Sequence, residues 1–344
     1  MNAELCELPD PDLLIAWHDL WQRAGASPFA GPQWHLARHE TYGGRGVGYL
    51  VARDAGQLCG VWPVRPGAVV RPAGALLADY LSPLLAPGRE NDALQAFAEW
   101  FARGGRPVVD LPRQEGSCHL LVEAMSRHGY RVMRLPGEAY RRLDLAGGPE
   151  AVEAGLSSDL RRRCRYAERR LGREAPLAVD FVPREDVPRA MAQLMAWHSA
   201  RFRRRGTPGS FFGRRRVFHV TVAMHHAEAG LLRLVRLRSG DRTVALLYAL
   251  RGGESYSYYA AGFDPDMARF SPGLILLWNA IRLAAKEGVG TFDFLRGDEA
   301  YKEPWTSERQ RLERIVAAPR GRHGYLSWAA LENSVEMSVR SHLV

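Results

Sequence analysis

Two stretches of the chain repeat one pattern of apolar and turn positions. Residues 48–64, GYLVARDAGQLCGVWPV, place apolar runs on either side of Asp54-Ala55-Gly56. Residues 231–250, LLRLVRLRSGDRTVALLYAL, do the same around Ser239-Gly240-Asp241. Each predicts a β-hairpin. The sequel also matches. After the first hairpin come an apolar segment at 76–81, a loop to Gly88, a helical stretch at 92–103, a Gly-Gly break and a strand at 107–111. After the second come a segment at 255–261, a loop through Asp264 and Pro265, a helical stretch at 272–286, a break at 288–290 and a strand at 291–295. Asp110 and Asp293 occupy equivalent places. The order strand, strand, strand, helix, strand occurs twice, which predicts a duplicated α/β unit with a mixed sheet. The join falls near Leu145-Ala-Gly-Gly-Pro-Glu150, a linker signal. The expected units are residues 1–146 and 147–325, with 326–344 as a helical or frayed tail.

Composition narrows the classes. A chain of 344 residues fits two domains, and 46% hydrophobic content is ample for packed cores. No run approaches the roughly 18 apolar residues of a membrane span. The acidic start, MNAELCELPDPD, is unlike a secretory signal. Cys6, Cys59, Cys118 and Cys164 are scattered, with no CxxC and no His-rich spacing, so neither a disulfide framework nor a metal site is expected. A reducing, cytoplasmic compartment follows as the default. The net charge of +9 is carried almost wholly by arginine, Lys286 and Lys302 being the only lysines. A coding bias accounts for most of this; an affinity for phosphates, a phosphorylated cofactor or RNA is the alternative.

The chemistry concentrates in two loops of the second unit. In Gly262-Phe-Asp-Pro-Asp-Met-Ala-Arg-Phe-Ser-Pro-Gly273, Ser271 is placed to cap the following helix with its hydroxyl, and Pro272 fits the first helical position. Gly273 admits a ligand close to the backbone. Such a helix N-terminus accepts anions, and Arg269 adds donors for a phosphate. Strand alternation then puts Phe292 and Phe294 on one face and Asp293 on the other, with Arg296 as its expected partner. Beyond the strand, Asp298, Glu299, Tyr301 and Lys302 supply a full set of acid and base types.

The stretch from Phe292 to Trp305, FDFLRGDEAYKEPW, resembles the signature of the CelD/BcsL-type acetyltransferases, a GNAT-like family associated with cellulose and exopolysaccharide synthesis. Gly262-Phe-Asp-Pro, Arg269-Phe-Ser-Pro-Gly273, the basic helix at 156–165 and Ala78-Asp-Tyr-Leu-Ser-Pro83 are similar to that family as well. The resemblance implies two tandem GNAT-like domains, the architecture of FemAB-like transferases, with a degenerate N-terminal copy. It implies acetyl-CoA as acyl donor, lying where the strands at 255–261 and 291–295 splay, with its amides on Tyr259, Ala260 and Ala261. The pyrophosphate would rest on Ser271, Gly273 and Leu274, helped by Arg269. An amine, on a sugar or exopolysaccharide precursor, would attack the thioester directly. Asp293, Asp298 or Glu299 would be the base and Tyr301 the acid. His198, Arg201, Arg296 and Lys302 are the expected acceptor contacts. The usual GNAT phosphate spacing, Gln/Arg-x-x-Gly-x-Gly/Ala, is absent.

Six arginines at 161–163, 165, 169 and 170 make a basic helix, read chiefly as a solvated face. Arg203-Arg204-Arg205 and Arg214-Arg215-Arg216 bracket Phe211-Phe212, a pattern that suits nucleic acid or a loop over the acceptor. Two other functions stay open: a FemAB-like transferase using aminoacyl-tRNA, and a non-catalytic GNAT-like scaffold in polysaccharide synthesis.

Overall fold

Both hairpins form where the pattern puts them. In the first, Ala55 and Gly56 have φ of 47° and 83°, the two left-handed residues of a type I′ turn, and Asp54 pairs with Gln57. The computed structural model describes residues 1–341 apart from 117, 204, 205, 207 and 208, so Arg204 and Arg205 lie outside the described residues.

In chain order the first half contains β1 (Asn2–Cys6), α1 (Pro11–Arg23), α2 (Pro32–Tyr42), β2 (Gly48–Asp54), β3 (Gln57–Arg65), β4 (Val69–Pro72), β5 (Leu84–Leu85), α3 (Glu90–Arg103), β6 (Val108–Gln114), α4 (Cys118–Arg127) and β7 (Tyr130–Asp144). The second contains α5 (Gly148–Gly155), α6 (Ser158–Gly172), β8 (Leu177–Phe181), α7 (Val187–Arg203), α8 (Arg214–Glu228), β9 (Leu232–Ser239), β10 (Arg242–Gly252), β11 (Ser255–Phe263), α9 (Pro272–Lys286), β12 (Thr291–Arg296), β13 (Gln310–Pro319) and α10 (Gly324–Ser341).

The strands join into one mixed sheet in the order β1-β2-β3-β4-β6-β13-β7-β12-β11-β10-β9-β8, with β5 attached to β3. The fold is mixed α/β. Its centre shows an exchange that linear order hides. β7, the last strand of the first half, pairs with β12 of the second. β13, the last strand of the second half, pairs with β6 of the first. The two exchanged strands run antiparallel to one another from Gln310↔Tyr140 to Pro319↔Tyr130. Each half therefore depends on the other for a sheet neighbour. α10 covers this centre, burying Leu326 and Ala329 against Val108, Val316 and Ala318.

The third strands differ between halves. β11 runs nine residues, but its parallel pairing with β12 stops at Ser257↔Asp293. Beyond that point the edge of β11 facing β12 has no strand partner among the described residues, while β10 covers its other edge to Phe263. The first half was expected to place its third strand at 76–81. The structure instead makes it β4, which pairs with β6 only at Val69 and Val70 and ends at Pro72. Proline cannot continue a ladder. Gly74 follows with φ 82°. The chain then leaves the sheet, crosses toward the second half and returns at β5.

Helix faces explain the packing. The Ser157 hydroxyl caps α6, 3.2 Å from Leu160 N. The helix then buries Leu160, Cys164, Ala167 and Leu171 at helical spacing. α9 begins with Pro272 and buries most of its circumference, including Trp278, between α6 and the sheet. α7 lies so close to β11 that a Cβ on Gly262 would sit 2.7 Å from Leu194 O. Only glycine fits there.

Candidate active site

β11 carries an irregularity at its middle: Tyr248 pairs with Ala260 and Ala249 with Tyr258, leaving Tyr259 as the extra residue of a bulge. The bulge sends Tyr259 and Ala260 to the α7–α8 side, while Tyr258, Ala261 and Phe263 face the α9 side. The Tyr259 hydroxyl donates to Leu77 O at 3.2 Å, and its ring lies 4.5 Å from that of His219.

β12 bulges as well. Between Asp293↔Arg142 and Arg296↔Tyr140 it holds one residue more than β7, and Leu295 takes up φ 59°. A bulky residue in that region is strained. The Leu295 N–H donates to the Asp293 carboxylate at 2.7 Å and holds the turn. The same carboxylate accepts from the Tyr80 hydroxyl at 2.8 and 2.9 Å and from Arg142 Nε at 3.0 Å. Burial pushes the Asp293 carboxyl above its usual range, an effect that Arg142 opposes. Arg142 also donates to Glu115 at 2.8 Å. The expected partner, Arg296, is elsewhere: its guanidinium holds Asp79 and, at 2.6 Å, Glu138. The reason is the β12 bulge, which lies between the two residues and separates them in register.

The loop after β12 is fastened by Lys302. Its ammonium is buried and donates to the carbonyls of Leu295, Arg296 and Gly297 at 3.3, 2.9 and 3.2 Å, and pairs with Glu299 at 2.7 Å. Expected to meet an acceptor, Lys302 instead points inward and closes the loop. Asp298 is held by Arg309 at 2.7 Å and Arg141 at 3.3 Å, and Arg309 keeps its carboxyl below the usual range. Glu299 is the most open of the three carboxylates, its side chain 55% exposed, against 35% for Asp298 and 2% for Asp293. The Tyr301 ring stands edge-on to Tyr258 at 6.3 Å. Tyr301 keeps 40% of its surface exposed. Burial of the rest still pushes its phenol well above the usual value, with Tyr258 and Glu299 adding to it. Burial likewise takes Tyr258 up to about 12.

Arg201, on α7, is a positive charge acting on both phenols, and it has no ion pair among the described residues. His198, one turn earlier, is stacked on Phe202 at 4.4 Å and edge-on to Phe211 at 4.9 Å. Burial, and then Arg201, push its pKa down to about 4, so the ring is neutral at pH 7.

At the α9 N-terminus Ser271 occupies the cap position, but its hydroxyl caps nothing. It lies at φ 56°, ψ 47°, and its carbonyl accepts from Leu274 and Ile275 at 3.0 and 3.3 Å. The left-handed backbone turns the hydroxyl away from the first turn, where the expectation had placed it. Gly273 N–H has no hydrogen-bond partner among the described residues. Beside it the guanidiniums of Arg269 and Arg170 both lie over the buried Phe270 ring, at 4.7 and 5.3 Å from its centroid. Arg170 also donates to Arg269 O at 2.9 Å. The ring face holds both cations in place through its quadrupole.

The structure thus brings Tyr259, Ala260 and Ala261 to a half-free strand edge. It gathers Arg269, Ser271, Gly273 and Leu274 at one helix end, and Glu299, Tyr301 and Arg201 around Tyr258. Sequence reasoning gave no site role to Tyr80, Arg142, Arg170, Tyr258 or Phe270. One signal was available: Asp79 interrupts an apolar run between Pro72 and Pro83, where the chain has every reason to leave a sheet. Among the described residues no group of three His, Cys, Asp or Glu could hold a metal ion, and no helix is long and apolar enough to cross a membrane.

Residues 158–303 match the family model of the acetyltransferase (GNAT) domain. The chain thus carries a GNAT-fold acyltransferase domain. The whole fold is similar to the crystal structure of FemX, at 11% identity and a TM-score of 0.65 over 91% of this chain and 96% of that one. It is also similar to L-PGS from Bacillus licheniformis, at 15% identity and a TM-score of 0.58 over 95% of this chain and 98% of that one. Identities this low show a shared fold. No curated protein matches the sequence.

Proposed function

We propose that this chain is an N-acyltransferase whose donor is acetyl-CoA or a close acyl thioester, seated between β11 and β12. One observation carries the reading. β11 leaves its inner edge unpaired past Ser257, and that edge leads to a helix N-terminus flanked by two guanidiniums. Unpaired backbone groups need partners, and the amides of a pantetheine arm match them. Arg269, Arg170 and Gly273 N–H would take the phosphates. Bound there, the donor supplies a thioester carbonyl to an acceptor amine.

The residues divide the remaining work. Glu299, open and held by one cation, accepts the proton of the attacking ammonium. Tyr301 stays protonated through neutral pH and can give a proton to the departing thiolate. Asp293 is a positioning residue, since three donors occupy it. Lys302 and Asp298 hold the loop. Residues 147–325 form the catalytic unit in this reading and 1–146 its degenerate partner, with β7 and β13 exchanged between them. The motif from Phe292 to Trp305, similar to that of the CelD/BcsL-type enzymes, supports an amine of a sugar or polysaccharide precursor as acceptor.

A second reading has its own observation. Arg162, Arg163, Arg165, Arg169 and Arg170 lie exposed on α6 with Tyr166 among them, and Arg173 is exposed at its end. Arg170 joins that face to the α9 end. Such a surface suits an RNA that delivers the acyl group on its terminal nucleotide.

Calorimetric titration of acetyl-CoA tests the choice. The wild type should bind, and the Arg269→Ala, Gly273→Glu double variant should lose at least about tenfold in affinity, the carboxylate repelling the phosphates. No binding by the wild type overturns the thioester reading. Steep salt-dependent binding of aminoacylated RNA in its place would establish the second. With an acceptor in hand, Glu299→Gln should lower kcat about 10²–10⁴-fold with little change in donor affinity.

A further inference from the structure

The first half has a cleft of its own. A cavity of about 200 Å³ opens between α3, α4, β5 and the end of β6, with walls that include Leu84, Leu94, Leu121, Glu90 and Glu115. By the repeat, this is the counterpart of the β11–β12 cleft. α3 stands to it as α9 stands to the donor seat, each helix preceding the strand that bears the buried aspartate. The charge is reversed. α9 offers a free N–H and two guanidiniums. The first turn of α3 instead carries Glu90, whose carboxylate accepts from Gly88 N at 3.1 Å. That carboxylate puts a negative charge beside the positive helix end. Arg89 beside it is tied to Asp54 and Asp92, at 2.8 and 3.0 Å. Among the described residues, no Lys, Arg or His lines the cavity.

A phosphate is therefore excluded from this cleft, and a cation is favoured. Glu115 spends one carboxylate oxygen on Arg142 at 2.8 Å, and the other takes no hydrogen bond among the described residues. A dry protein cavity of roughly 150 Å³ admits benzene, so this larger one takes a compound of about six to ten non-hydrogen atoms. The cavity belongs to the first half, with the Asp293 cluster at its edge. β6 and β12 are separated by β13 and β7. Three strand spacings put about 14 Å between them. We infer that the cavity is a second ligand site, for a small primary amine with an apolar body, its ammonium placed between Glu115 and Glu90. The inference stands apart from the identity of the acyl donor. Glu115, Arg142 and Asp293 form a continuous chain of charge-assisted bonds from this cavity to the strand beside the donor seat.

The test is calorimetric titration of n-pentylamine at pH 7.5 into the full chain, with 1-pentanol and pentanoate as matched probes. Pentylamine should saturate one site at least about tenfold more tightly than pentanol, the margin of one charged hydrogen bond, and pentanoate should not bind. Leu94→Trp, which fills the cavity, should abolish binding, and Glu115→Gln should weaken it about tenfold. Equal binding of the three probes overturns the inference. So does pentylamine binding that survives in a folded Leu94→Trp protein.

Discussion

The two halves build the same buried cluster from different parts of the chain. In the second half Asp293 on β12 meets Arg142 from the exchanged strand β7 and a phenol, Tyr80, with Glu115 as the arginine's second carboxylate. In the first half Asp110 on β6 meets Arg314 from the exchanged strand β13, at 2.8 Å to each oxygen, and a phenol, Tyr325, at 2.9 Å, with Glu332 as the second carboxylate. The phenols come from unrelated places. Tyr80 rides on the excursion after β4, and Tyr325 on α10. The difference teaches where specialisation occurred. Around Asp293 the neighbouring cleft keeps a free strand edge and positive charge. Around Asp110 the tyrosine arrives with a helix that covers the centre, and the neighbouring cleft turns acidic.

Removing the aspartates should give the largest effects. Asp110→Ala leaves Arg314 buried with only the half-exposed Glu332. That loss should cost about 3–5 kcal/mol in urea unfolding. Asp293→Ala should fall at the low end of that range, because the side chain of Arg142 is 30% exposed and keeps Glu115. Equal losses, or a larger loss at Asp293, would break the proposed asymmetry between a closed cluster and an open one.

The next effect is in acid. Burial takes the pKa of His35 and His219 down to about 3, and that of His198 and His226 to about 4. The unfolded chain binds these protons near pH 6.5 and the folded one does not, so stability is full above 6.5 and falls as pH drops toward 4. Each histidine withdraws up to about 1.4 kcal/mol per pH unit in that window. Three of the four belong to the second half, so that half should open first. His219→Phe should flatten the slope by one histidine's share; an unchanged slope in urea unfolding between pH 6.5 and 5 would show that the site stays paired with water or an ion.

The smallest effect is at the phenols. Tyr80→Phe and Tyr325→Phe each remove one charge-assisted donor, worth about 1.5–3 kcal/mol at most and less where water can replace it. Tyr80 is buried and Tyr325 half-buried, so the loss at Tyr80 should be the greater. The reverse order would mean that α10 secures the centre more firmly than the excursion does.

Local features of both halves were legible. The hairpins, α9, β12 and the turn of Asp293 away from Phe292 and Phe294 follow from period-two and period-3.6 patterns and from Gly, Pro and Asp at turns. Four features were not. The expected strand at 76–81, the Ser271 hydroxyl cap, the pairing of Asp293 with Arg296 and the outward Lys302 each depended on what lay across from the segment. Pro72 and Gly74 ended the strand, a left-handed Ser271 moved the hydroxyl, and a bulge shifted Arg296 out of register. Three backbone carbonyls and Glu299 drew the Lys302 ammonium inward.

The sequence by itself determined the repeated order of elements, the aromatic strand leading to a proline-started helix, and the presence of acid, base and phenol in one loop. Those rest on neighbours a few residues apart, whose steric and hydrogen-bonding rules are local. Only the tertiary structure decided that β7 and β13 trade places, that Tyr80 and Arg142 from the first half complete the Asp293 cluster, and that one cleft is basic and its counterpart acidic. Tyr80 stands 213 positions from Asp293 and Arg142 stands 151. Contacts at such separations are set by how the sheet closes, and periodicity along the chain carries no trace of them.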